Sequence, residues 1–246
     1  MILSLSNKST LLVTGASSEL GLALIEDVQE NYDRIIAHYN RTSAGVFALR
    51  ERFGDKLIPI QADFAAEVGA ENLVEQVRAA GLSPTAVVHL PAEKISYERF
   101  PKISWEETSR GLDVGLRSAY LISQAFLPGM AKAKSGRAVF VLSSVVAQPV
   151  KYLAGYSAVK YALLGLAKAL AAEYAEKLVT VNAISPSMIE TKFLENLPEL
   201  AVRQSAENNP QKRNARVSDV VPAIRFLLSP QAEYITGQNL IINGGG

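Results

Sequence analysis

Seven short apolar runs punctuate the chain: TLLVT (10–14), RIIAHY (34–39), KLIPIQ (56–61), TAVVHL (85–90), RAVFVLS (137–143), VTVNAI (179–184) and NLIIN (239–243). Their apolar character is nearly continuous rather than alternating, as in strands of a parallel sheet covered on both faces. Between them lie longer helix-like stretches near 19–30, 43–53, 68–80, 104–133, 155–176 and 218–229. The last of these opens with Ser218 as an N-cap, and Pro222 falls in its first turn, where a missing N–H is tolerated. Strands that alternate with helices imply right-handed crossovers. The expected architecture is α/β: a Rossmann-like, doubly wound three-layer sandwich with a mostly parallel seven-stranded sheet. No linker or shift of composition divides residues 1–246, so one domain is expected.

In such a sheet, ligands sit beyond the carboxyl ends of the strands. That rule gathers the turns after residues 14, 39, 61, 90, 143 and 184 on one rim. Candidate chemistry is therefore sought there.

Composition narrows the chemistry. The 246 residues are 48% hydrophobic and 20% charged with a net charge of +1, so no basic footprint for nucleic acid is present. Cysteine is absent, which removes disulfides, thiolate catalysis and Cys-ligated metals. The two histidines, His38 and His89, are far apart in sequence, and no metal site is expected. No apolar run reaches the roughly 20 residues that span a bilayer. The N-terminal residues lack the pattern of a signal peptide. These readings point to a cytoplasmic protein.

LLVTGASSELGLAL (11–24) reads as strand, glycine turn and helix start. Gly15 permits the tight turn, Gly21 lets the helix pack on the sheet, and Ser17 and Ser18 offer hydroxyls where free helix N–H groups attract a phosphate. Glu19 would repel a pyrophosphate at close range and is expected to point outward. After the second strand stands AHYNRTS (37–43), with Asn40, Arg41 and Thr42 and no acid. A carboxylate there would favour an unphosphorylated ribose, whereas Arg41 can grip a 2′-phosphate. GYSAVK (155–160) places Tyr156 and Lys160 one helical turn apart. Such a pair alone is a weak signal. A nearby ammonium favours the phenolate, which suits a tyrosine that gives up a proton.

The glycine turn, GYSAVK, the chain length and the ending YITGQNLIINGGG together resemble the short-chain dehydrogenase/reductase family over nearly the whole chain. The resemblance implies an NAD(P)-dependent oxidoreductase acting on CH–OH groups, with NADP(H) preferred and NAD(H) possible. Tyr156 becomes the general acid, and Lys160 holds the ribose and tunes Tyr156. The family's serine maps to Ser144 by its Ser-Ser context, although the usual interval to the tyrosine points to Ser143; Ser144 is the preferred reading. Asp63 and Phe64 are placed at the adenine, Pro186 and Ile189 at the nicotinamide, and Thr191 at the phosphates. Asp63 would equally cap the following turn.

Three departures stand out. Glu19 replaces the middle glycine of the fingerprint, HLPA (89–92) replaces Asn-Asn-Ala-Gly, and Gly115 replaces the asparagine of the proton path. His89 is read as a local hydrogen-bonding residue rather than a catalyst. Residues 187–215 resemble the variable substrate lid, with Phe193, Leu194, Leu197 and Leu200 as an apolar lining and QKRNAR (211–216) as a solvated basic run. The resemblance further implies a carbonyl or 3-oxoacyl thioester substrate, and a homodimer or homotetramer. The rival expectation is a cofactor-binding protein with little turnover, serving as sensor or structural partner.

Overall fold

The computed structural model describes residues 9–246; the extreme N-terminus read above for a signal peptide lies mostly outside them. Seven strands form one sheet: β1 (Thr10–Thr14), β2 (Arg34–Tyr39), β3 (Leu57–Gln61), β4 (Ala86–His89), β5 (Gly136–Val141), β6 (Val179–Pro186) and β7 (Asn239–Ile242). Their spatial order is β3-β2-β1-β4-β5-β6-β7, and every pairing is parallel. The order reverses between β1 and β4, which opens the crevice where ligands bind in such sheets.

The central runs β1, β4 and β6 are buried on both sides because consecutive side chains point to opposite faces, whereas the edge strands β3 and β7 are only partly covered. Leu12, Ile36, Val87, Ala138 and Val181 meet helices α3 (Gly69–Ala79), α5 (Ser118–Ala133) and α6 (Ala154–Tyr174) through Leu73, Val77, Ile122, Phe126, Leu163 and Ala167. Leu11, Val13, Ile35, Val88 and Val139 face the other way, against α1 (Glu19–Val28), α2 (Ala44–Phe53) and α8 (Val217–Leu228). These are the three layers expected.

The long stretch 104–133 is not one α-helix. Helix α4 (Trp105–Leu112) starts in a capping box, with Ser104 Oγ accepting from the Glu107 N–H and Glu107 Oε2 accepting from the Ser104 N–H. A π turn over Asp113–Arg117 then joins it to α5. Helix α7 (Glu199–Asn208) lies between β6 and α8, inside the segment read as lid. Helix α8 begins one residue earlier than expected. Ser218 sits within it, and the Asp219 carboxylate accepts from the Arg216 N–H at the cap instead. No helix among the described residues is long and apolar enough to cross a membrane.

Candidate active site

The glycine turn after β1 is built as the sequence suggests. Gly15 has φ +71°, a region that side chains disfavour. At Gly21 a Cβ would lie 2.8 Å from the Ala16 backbone, so only glycine lets α1 approach the turn. Ser18 caps α1, its Oγ accepting from the Gly21 N–H at 3.0 Å and donating to the Gly15 carbonyl at 2.8 Å. Ser17 is half-buried beside it.

The turn has an anchor that the sequence reading missed. His38 Nδ1 accepts from the Gly15 N–H at 3.0 Å, and Nε2 contacts the Ala62 carbonyl at 3.1 Å. A carbonyl only accepts, so Nε2 carries the proton. Burial pulls the His38 pKa down to about 4 and keeps the ring neutral. The Phe64 side chain is buried and stacks on it, with centroids 4.1 Å apart.

Around the next two strand ends, Asn40 Nδ2 donates to Asp63 Oδ1 at 3.1 Å, and the same oxygen accepts from the Ala65 N–H at 3.0 Å. Asp63 therefore does cap its own turn, and the turn leaves it half-buried at the rim. Arg41 and Thr42 are exposed at the tip after β2. Glu19 is exposed too, but it does not simply face solvent. Its Oε2 accepts from the Lys192 N–H at 2.8 Å, tying the start of α1 to the segment after β6.

Tyr156 and Lys160 meet within the first two turns of α6. Lys160 is 2% exposed, and its Nζ donates to the Val141 carbonyl at 3.0 Å. The same nitrogen lies 5.7 Å from the centre of the Tyr156 ring. Burial pushes the Lys160 ammonium down to about 8. It also pushes the Tyr156 phenol up to about 12, against a hydrogen bond from Ser143 that favours the phenolate. The chain by itself thus holds a protonated tyrosine beside a cation.

The serine facing Tyr156 is Ser143, which corrects the preference for Ser144. Strand β5 ends at Val141, two residues short of the expected end, so alternation along a strand does not govern either serine. Ser143 instead caps a short 3₁₀ turn, Ser144–Val146, its Oγ also accepting from the Val145 N–H at 3.4 Å. Ser144 heads that turn, and its carbonyl takes the Ala147 and Gln148 N–H groups at 2.9 and 3.0 Å.

The missing asparagine has a packing counterpart. A Cβ at Gly115 would lie 3.1 Å from Val159 Cγ1, and one at Gly111 would lie 3.2 Å from Val159 Cγ2. The two glycines form a saddle for the two methyls of Val159, the residue before Lys160. Pro91, Gly111, Gly115, Gly155, Tyr156, Val159 and Lys160 line one cleft.

Beyond β6, Pro186 is buried at the strand end, and Thr191 Oγ1 donates to the Ile189 carbonyl at 3.3 Å. Ile189 bridges to Ala215, which clasps the two ends of the intervening segment. Within it Phe193, Leu194 and Leu197 pack on the core, whereas Leu200 is 54% exposed, contrary to its expected place in the lining. In the basic run, Arg213 forms a bidentate pair with Asp219 at 2.6 and 3.1 Å.

No group of three or more His, Asp or Glu among the described residues could hold a metal ion. A dinucleotide fits better. The positive φ at Gly15 and the close approach at Gly21 keep the turn free of side chains, and the N-terminus of α1 opens beside it on the rim. The one misfit is the Glu19 carboxylate on that same helix end.

Comparison with known proteins agrees. A family model described as Enoyl-(Acyl carrier protein) reductase matches residues 15–246. The uncharacterized oxidoreductase YmfI of Bacillus subtilis (strain 168) is 29% identical over 240 residues, 96% of this chain and 98% of its own. The 3-oxoacyl-[acyl-carrier-protein] reductase FabG of Vibrio cholerae is 31% identical over 237 residues, 95% of each chain. A crystal structure of a putative gluconate dehydrogenase from Agrobacterium tumefaciens superposes with a TM-score of 0.88 at 22% identity, covering 96% of this chain and 95% of the other. A match across nearly the full length, on a sheet that ends in a glycine turn and a Ser-Tyr-Lys cluster, makes this chain a member of the short-chain dehydrogenase/reductase family of oxidoreductases.

Proposed function

We propose that the protein reduces a carbonyl to an alcohol with NADPH, the substrate being a 3-oxoacyl thioester. The observation that carries the reading is the meeting of Ser143, Tyr156 and the buried Lys160 at the carboxyl end of β5. Bound dinucleotide would supply the hydride. Tyr156 donates its proton to the carbonyl oxygen as negative charge develops there. The Ser143 hydroxyl steadies the same oxygen, and the Lys160 ammonium holds the ribose hydroxyls and draws the phenol towards its anion.

Gly15, Ser17, Ser18 and Gly21 would hold the phosphates together with Thr191, and Pro186 and Ile189 the nicotinamide. Asp63 and the Phe64 backbone would receive the adenine. Preference for NADPH rests on the turn after β2, where Asn40, Arg41 and Thr42 offer an exposed cation and no carboxylate to a 2′-phosphate. The thioester class rests on the FabG resemblance. Residues 187–215 are read as the substrate cover of a single reductase domain.

A second reading, cofactor binding without useful turnover, draws on Gly115 and HLPA. Absorbance of NADPH followed across ketones, aldehydes and 3-oxoacyl thioesters separates the two. Turnover is expected on the thioesters, with Tyr156→Phe losing at least about 100-fold in kcat. Ser143→Ala should lose more than Ser144→Ala. Tight NADPH binding with no oxidation on any carbonyl favours the second reading.

A further inference from the structure

His89 is wholly buried at the end of β4, in contact with Gly115 of the cleft lining, and the chemistry above does not use it. Its Nε2 lies 3.0 Å from the Gly115 carbonyl, and its Nδ1 lies 2.9 Å from Thr14 Oγ1. The carbonyl can only accept, so Nε2 carries the proton and the Thr14 hydroxyl donates to Nδ1. The ring thus spans from the end of β1 to the π turn. That turn needs side chains to hold it. The Ser118 N–H reaches back five residues to the Asp113 carbonyl, and the Ser118 hydroxyl takes the Val114 carbonyl at 2.6 Å. The Gly115 carbonyl goes to His89.

We propose that His89 is a positioning residue for the reaction. By fixing the π turn it sets the Gly111–Gly115 saddle against Val159, and so the height of Tyr156 and Lys160 over the cleft. The inference rests on the carbonyl-reduction reading. Burial and the neighbouring Lys160 cation bring the His89 pKa down to about 3, so the ring acts as a neutral donor throughout the working range.

Two variants test it. His89→Leu keeps the volume and removes the ring's hydrogen bonds to Thr14 and Gly115 along with its 3.5 Å contact to Ser118 Oγ, whereas His89→Gln returns an N–H donor near the Nε2 position. With a 3-oxobutanoyl thioester and NADPH, His89→Leu is expected to lose on the order of tenfold in kcat, while the NADPH dissociation constant, read by fluorescence, changes by less than about twofold. His89→Gln should recover most of the loss. A folded His89→Leu with kcat within about twofold of wild type overturns the proposal. So does an equal loss in both variants accompanied by faster amide exchange across the whole sheet, which marks a purely structural role.

If the wild-type protein reduces no carbonyl, the reduction reading fails by itself, and amide exchange decides the inference. Faster exchange in His89→Leu confined to residues 111–119 and 154–160 upholds the coupling of turn to helix. Unchanged exchange there overturns it.

Discussion

Lys160 is a cation kept where a cation is costly. Its Nζ has the Val141 carbonyl at 3.0 Å and the Tyr156 ring at 5.7 Å, with no carboxylate among the described residues paired to it. Burial lowers its pKa from 10.5 to about 8. Below pH 8 the folded and unfolded chains both carry the proton, and the penalty is constant. Between about 8 and 10.5 the unfolded chain keeps a proton that the native one has lost, so native stability rises with pH by up to about 3 kcal/mol. The raised phenol of Tyr156 works in the opposite sense above pH 10, where the native state retains a proton that the unfolded chain releases. Urea denaturation from about pH 7 to pH 10 should show wild type gaining on Lys160→Met as pH increases. Parallel curves would show that the ammonium is not desolvated. The Tyr156–Lys160 pairing was legible in the sequence because four residues on a helix make one face, a purely local fact. The serine was legible only in part: its interval to Tyr156 pointed to Ser143, but the Ser-Ser context favoured Ser144 on the expectation of a strand running to 143, whereas β5 ends at Val141.

At the scale of elements, the contact of α4 and the π turn with α6 explains the absent asparagine. A β-branched residue between Tyr156 and Lys160 needs space, and Gly111 and Gly115 provide it. Gly115→Asn would push a Cβ to 3.1 Å from Val159 Cγ1 and is expected to destabilise the fold by about 1–3 kcal/mol. Val159→Ala should restore part of that loss when combined with it, giving a coupling that a thermodynamic cycle measures. Additive losses would mean that the saddle does not hold the helix. Seven strands and the main covering helices were readable from apolar runs because burial on two faces leaves a strong pattern. Helix α7 was not, since none of its residues is fully buried and so no apolar stripe marks it. The π turn was hidden for a different reason. The side chains that satisfy its carbonyls, His89 and Ser118, include one that lies on a strand 26 residues before Gly115.

For the whole molecule, the outward face of α6 poses the remaining question. Val159, Leu163, Ala167 and Ala171 turn inward, leaving Ala158, Tyr161, Gly165 and Ala169 exposed, and Tyr120 on α5 is 52% exposed. Ala158, Gly165 and Ala169 thus form a small-residue strip on the uncovered side of the helix, the side that a homodimer or homotetramer closed across α5 and α6 would use. Gly165 gives this a test with two opposite signs. Nothing lies within 4 Å of a Cβ built there, so an isolated chain has room for any side chain. Arginine is the better helix former by nearly 1 kcal/mol, and in a monomer Gly165→Arg should raise the melting temperature. Against a packed symmetry mate the same guanidinium meets a closely approaching helix and must either be buried or force the copies apart. The expected outcome is dissociation in sedimentation velocity with a lower, concentration-dependent melting temperature. A stabilised Gly165→Arg that sediments like wild type would place any subunit contact elsewhere on the surface.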